Sequence, residues 1–116
     1  MKFVGKREAP MTLSKQRKLL GNHLNFAAAE AYKLLRTNLM FALPNNNECR
    51  VIGITSALRG EGKSTTSVNL AYTIAQTGER VLMIEADMRL PNVAQRLALR
   101  PTLGLSDLLA GLCTRE

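Results

Sequence analysis

Residues 56–65 read Ser-Ala-Leu-Arg-Gly-Glu-Gly-Lys-Ser-Thr, between an apolar run at 51–55 (VIGIT) and a helical pattern at 63–77. Few folds are open to a chain with this segment. The β-branched run has the composition of a strand buried on both faces. Loop glycines let successive N–H groups turn toward one anion, and a helix starting near Lys63 points its positive end at the same place. In such a loop Lys63 reaches the β- and γ-phosphates of a nucleotide, the Ser64 hydroxyl is an oxygen ligand for magnesium, and Thr65 meets the α-phosphate. Gly60, Glu61 and Gly62 complete the binding set, with Ala57 where glycine usually stands. The bland alternative is an ordinary turn that happens to spell Gly-Lys-Ser. The strand before it and the helix after it favour phosphate binding.

The rest of the chain fits around that loop. A second apolar run, VLMIE at 81–85, predicts another buried strand, and Gly78 suits a left-handed stop between helix and strand. Strand, helix, strand in this order is a right-handed βαβ unit with a parallel sheet. The expected fold class is therefore α/β, a P-loop NTPase-like parallel sheet with flanking helices, ending after the second strand. Val68, Ala71, Tyr72 and Ala75 are expected to face inward from the loop helix. Upstream, residues 26–41 read as a helix with Ala28, Tyr32, Leu35 and Leu39 on one face, broken by Pro44 and the asparagines after it. Pro91 is expected to open a short helix to about Leu99, and residues 105–112 a last turn or two.

Adjacent parallel strands open at their carboxyl ends onto one crevice, which puts Glu85 and Asp87 beside the loop. Ser64, Glu85 and Asp87 form the expected magnesium site, and Lys63 and Asp87 the expected catalytic pair. The competing possibility is that Asp87 caps the following turn and Glu85 is solvated.

Charge divides the chain into a basic arm, residues 1–24, and a partial P-loop domain, residues 25–116. The net charge is +7; Lys2, Lys6, Arg7, Lys15, Arg17 and Lys18 stand against Glu8 in the first twenty residues. Such an arm suits an anionic membrane surface or an acidic partner, and equally a solvated terminus. Phe3 is the one aromatic among these charges, so base stacking has no platform and no nucleic acid partner is expected. Hydrophobic residues make up 46%, enough for a core, yet no apolar run approaches the roughly 18 residues of a membrane span. The basic start has no apolar stretch behind it and is not a secretory signal. Cys49 and Cys113 stand far apart, which excludes a disulfide framework or zinc module and fits a reducing compartment.

The loop SALRGEGKST, the strand end VLMIEADMRLP and the helix EAYKLLRTNL, followed by LGLSDLLAG, together resemble the bacterial tyrosine kinases that control capsular and exopolysaccharide synthesis. The resemblance runs from about Glu30 to Gly111. It identifies residues 57–65 with the family's Walker A loop, and Glu85, Asp87 and Arg89 with its Asp-x-Asp-x-Arg motif. Glu30, Lys33 and Arg36 match a Glu-x-x-Arg-x-x-Arg helix implicated in ring assembly. It implies ATP and magnesium as cofactors and a homo-oligomer through the Glu30 helix. It also implies a transmembrane polysaccharide co-polymerase or adaptor as partner, with the protein cytoplasmic at the inner face of the membrane. Glu85 departs from the family's aspartate, Lys33 from its arginine, and Leu58-Arg59 from its polar-proline pair. No Walker B strand and no tyrosine-rich tail follow, so the chain resembles the N-terminal part of the family. Two functions stay open: a tyrosine autokinase, or a nucleotide-binding or docking fragment without turnover. A partition or division-site ATPase is the weaker third, because its signature lysine is replaced by Leu58.

Overall fold

The computed structural model of the chain describes residues 21–44, 49–100 and 103–114. Most of the basic arm lies outside these. A single 3-10 turn, Gly21–His23, leads into four helices: α1 (Phe26–Ala42), α2 (Lys63–Ala75), α3 (Val93–Arg96) and α4 (Leu105–Leu109). The first starts at Asn25, whose side chain accepts a hydrogen bond from the Ala28 N–H at 2.8 Å. Asparagine is well suited to that place because its side-chain oxygen satisfies one of the free N–H groups of the first turn. α1 stops at Leu43, just before Pro44, as the sequence predicts. α2 begins at Lys63 and ends before Gly78, whose φ of 88° is the left-handed stop expected of it. α3 and α4 are shorter than expected, and Pro91 lies outside α3 rather than in its first turn.

The inward face of α2 agrees with the expected one at Val68 and, half-buried, at Ala71, and differs elsewhere. Val68, Asn69, Leu70 and Thr73 are buried, while Tyr72 and Ala75 are exposed. Asn69 is completely enclosed, and its Oδ1 accepts the Gly21 N–H at 2.8 Å. The Thr73 hydroxyl donates to the Asn69 carbonyl at 2.7 Å, and the Thr73 carbonyl accepts from Arg36 Nη1 of α1 at 2.9 Å. Two polar residues one turn apart thus fasten both the 3-10 turn and α1 to α2. Apolar periodicity points away from them, because it assumes that the partner surface is apolar. Here the partners are a backbone N–H and a guanidinium, which need acceptors.

Loss of this polar anchor has a definite cost. Asn69→Ala leaves the Gly21 N–H without its acceptor, and such a loss costs roughly 1–3 kcal/mol. Thr37→Ala removes an exposed hydroxyl that donates to the Lys33 carbonyl, and should change stability by less than about 0.5 kcal/mol. Urea denaturation of both variants is the check. Equal midpoints would contradict the anchoring role of Asn69.

Neither apolar run forms a strand among the described residues. Each instead shows alternating cover: Ile52, Ile54 and Ser56 are half-buried, as are Met83, Glu85 and Asp87, while the residues between them are open. Val51 is 87% exposed and Leu82 83%. The expectation of strands buried on both faces is therefore corrected to extended segments covered on one face. Burial on both faces needs neighbouring strands and helices on each side, and the described helices cover one.

Candidate functional site

The loop is folded on itself by its own side chains. The Ser56 hydroxyl donates to the Leu58 carbonyl at 2.9 Å, and Glu61 Oε2 accepts the Leu58 N–H at 3.0 Å. Glu61, expected in the phosphate-binding set, is thus engaged as an internal clasp. Gly60 and Gly62 both have φ of 88°, a region where other residues are strained, and a Cβ on either would meet nothing within 4 Å. Backbone conformation, rather than crowding, requires glycine at these two places. Ala57 is exposed at the start of the loop.

Gly62 caps α2 in the left-handed conformation and offers no side chain to its first turn. The Gly62 carbonyl accepts from Thr66 N at 2.8 Å, which begins the helical ladder. The N–H groups of Lys63, Ser64 and Thr65 precede that ladder and have no intrahelical acceptor. Lys63 Nζ lies 3.8 Å from Asp87 Oδ2, with the two side chains 34% and 38% exposed. The loop and the end of the second apolar run therefore meet, as the crevice argument expects.

Asp87 and Glu85 hold further contacts. Asp87 Oδ1 accepts the Leu90 N–H at 3.2 Å, the turn-capping alternative realised together with the Lys63 pair. Glu85 is expected at the metal, but both its oxygens accept backbone hydrogen bonds here. Oε1 takes Asn92 N at 2.8 Å, and Oε2 takes Val93 N at 3.1 Å. Its longer side chain reaches the start of α3. Among the described residues no group of three or more His, Cys, Asp or Glu side chains could hold a metal. Magnesium beside a nucleotide needs only one or two protein oxygens plus phosphate and water, so the absence of a larger cluster does not bear on such a site.

Sequence reasoning missed Arg96. Its Nη1 donates to Thr65 Oγ1 at 2.9 Å and its Nε to Asn92 Oδ1 at 2.9 Å, which ties α3 to the loop end of α2. A basic residue on a four-residue helix carries no local signal, since its partner lies 31 positions away. On α1, Lys33 pairs with Glu30 at 2.7 Å on an exposed face, while Arg36 is directed to Thr73 of the same chain.

The model of the AAA domain matches residues 49–108, from before the loop through the helices beyond Asp87. The chain belongs to the AAA domain family. That membership implies the α/β NTPase class, of which the described residues hold the helices without the sheet. The tyrosine-protein kinase YwqD of Bacillus subtilis is 46% identical over 81 residues, covering 70% of this chain and 34% of that protein. The tyrosine-protein kinase wzc of Salmonella typhi is 42% identical over 101 residues, covering 84% of this chain and 14% of that one. The succinoglycan biosynthesis transport protein ExoP of Rhizobium meliloti is 45% identical over 65 residues, 56% of this chain and 8% of that protein. The resemblance to bacterial tyrosine kinases is met by these relatives. The chain spans about a third of YwqD and less of the other two. No solved structure matches it.

Proposed function

We propose that this chain is the ATP-binding part of a tyrosine autokinase that serves capsular or exopolysaccharide synthesis. The observation that carries the proposal is the meeting of Lys63, at the uncapped start of α2, with Asp87 at the end of the second apolar run. Lys63 neutralises the β- and γ-phosphates, and the first-turn N–H groups of α2 receive phosphate oxygens. Ser64 and Asp87 would hold magnesium, which would supply charge neutralisation to the phosphates. Glu85 serves this metal site from one step away, by fixing the segment that follows Asp87. The names of YwqD and wzc support kinase chemistry, and that of ExoP supports a role in polysaccharide synthesis. Calorimetric titration of Mg-ATP into the chain tests the proposal. Saturable binding at one site is expected, and no heat at millimolar nucleotide would overturn it.

A nucleotide-binding or docking module without turnover is the second reading, favoured by the placement of the tyrosines. Tyr72 and Tyr32 both lie on helices, and the Tyr72 ring packs beside Gly21. In either reading the exposed Glu30–Lys33 pair of α1 is open to a second copy. Arg36 braces that helix from the inside.

Membrane association follows from the arm together with a transmembrane polysaccharide adaptor as partner. Among the described residues no helix is long and apolar enough to cross a membrane. Basic residues near anionic lipid contribute about 1 kcal/mol each. The chain should sediment with phosphatidylserine vesicles at 0.1 M salt and leave them near 1 M, where the screening length falls from about 10 Å to 3 Å. Binding that ignores salt, or none at all, would remove the arm from this role.

A further inference from the structure

Three hydroxyl groups on the two long helices bond to the carbonyl one turn back. Ser67 donates to the Lys63 carbonyl at 2.8 Å, Thr73 to the Asn69 carbonyl at 2.7 Å, and Thr37 to the Lys33 carbonyl at 3.0 Å, each four residues back. Thr65, in the first turn of α2, accepts a hydrogen bond from Arg96 instead. A guanidinium has donors and no acceptor, and a hydroxyl has one proton and two lone pairs. The Thr65 proton is therefore turned away from Arg96 and left for another acceptor.

Arg96 is held to this task from behind. Its Nε is engaged by Asn92 Oδ1, and the Asn92 and Val93 N–H groups are fixed by Glu85. Glu85, Asn92, Arg96 and Thr65 thus form a continuous polar chain between the end of the second apolar run and the loop. We propose that Arg96 is a positioning residue for bound nucleotide. By donating to Thr65 it turns that hydroxyl's proton onto a phosphate oxygen of a nucleoside di- or triphosphate in the loop. Glu85 acts one link further back, by setting where α3 begins. The inference rests on nucleotide binding by the loop. Beyond that, it assigns a role to a residue that no loop motif includes.

The test is calorimetric titration of Mg-ADP into the unchanged chain, Arg96→Ala, Thr65→Val, their double variant, Arg96→Lys and Lys63→Ala. Thermal melts without nucleotide confirm that each variant is folded, and Arg96→Gln replaces Arg96→Ala should the latter not fold. Arg96→Ala and Thr65→Val should each weaken binding by about tenfold, as expected for a lost hydrogen bond to a charged group. The double variant should be no weaker than the weaker single variant, because both act through one hydroxyl. Arg96→Lys should recover at most part of the loss, since one ammonium cannot span Asn92 and Thr65 as the guanidinium does. Unchanged affinity in Arg96→Ala, losses that multiply in the double variant, or full recovery in Arg96→Lys would each overturn the role of Arg96 while leaving nucleotide binding intact. Failure of the unchanged chain to bind, or equal binding by Lys63→Ala, would instead overturn the loop assignment and this inference with it.

Discussion

Lys63→Ala is expected to abolish nucleotide binding while leaving the fold in place. Two magnitudes separate these effects. The Lys63–Asp87 pair is 3.8 Å apart and more than a third exposed on the aspartate side, so its net worth to stability is at most about 1 kcal/mol. The same ammonium facing the β- and γ-phosphates makes charge-assisted contacts of its own, whereas Arg96 is engaged by Thr65 and Asn92. Loss of the ammonium should cost about 3 kcal/mol of binding, roughly a hundredfold in affinity. The unchanged chain is expected to bind only modestly, since nothing lies within 4 Å of a Cβ placed on Gly60 or Gly62 and the loop stays open to water. A hundredfold loss from that starting point leaves no measurable heat in a titration with Mg-ADP. Equal affinity in the variant, with an unchanged melting curve, would remove Lys63 from the site.

The second large effect is an absence of label: with γ-labelled ATP, the chain by itself should not phosphorylate itself on tyrosine. In-line transfer needs an acceptor oxygen within about 3.5 Å of the γ-phosphate. The chain has two tyrosines, Tyr32 and Tyr72. Tyr72 stands nine residues beyond Lys63 on α2, about 13 Å along the axis at the ordinary helical rise. Its ring lies 3.4 Å from where a Gly21 Cβ would stand, so it is packed on the 3-10 turn rather than aimed at the loop. Tyr32 is half-buried on α1. For either to reach the phosphate its helix would have to unwind. Label on the chain that disappears in Lys63→Ala would contradict this placement and assign turnover to the isolated chain. Label that appears only on a longer relative supplied as acceptor would agree with it.

What was legible in the sequence is what depends on neighbours along the chain. The start of α2 at Lys63, the positive φ of Gly60, Gly62 and Gly78, and the span of α1 all follow from local spacing and residue type. The meeting of Lys63 with Asp87 was legible too, because the order of apolar run, helix and apolar run is expected to bring those ends together. The polar core of α2 was not. Asn69 is buried because a distant backbone N–H requires its side-chain oxygen, and Thr73 beside it turns its hydroxyl onto the Asn69 carbonyl; no periodicity encodes either demand. Glu85 is a similar case. An acid after an apolar run looks like a metal ligand, whereas its extra methylene lets both oxygens reach the N–H groups of Asn92 and Val93. The apolar runs show the reverse: composition expects cover on two faces, and the described helices supply one.

The central claim is that residues 57–65 form a phosphate-binding loop, and amide spectroscopy tests it most directly. Mg-ADP would be added to the isotopically labelled chain while each backbone N–H is followed. The largest shifts are expected at Gly60, Gly62, Lys63, Ser64 and Thr65, with a smaller response at the Arg96 Nε–H. An absence of shifts, or shifts centred on Met40, Leu43 and Arg50 around the C-terminal end of α1, would contradict the account.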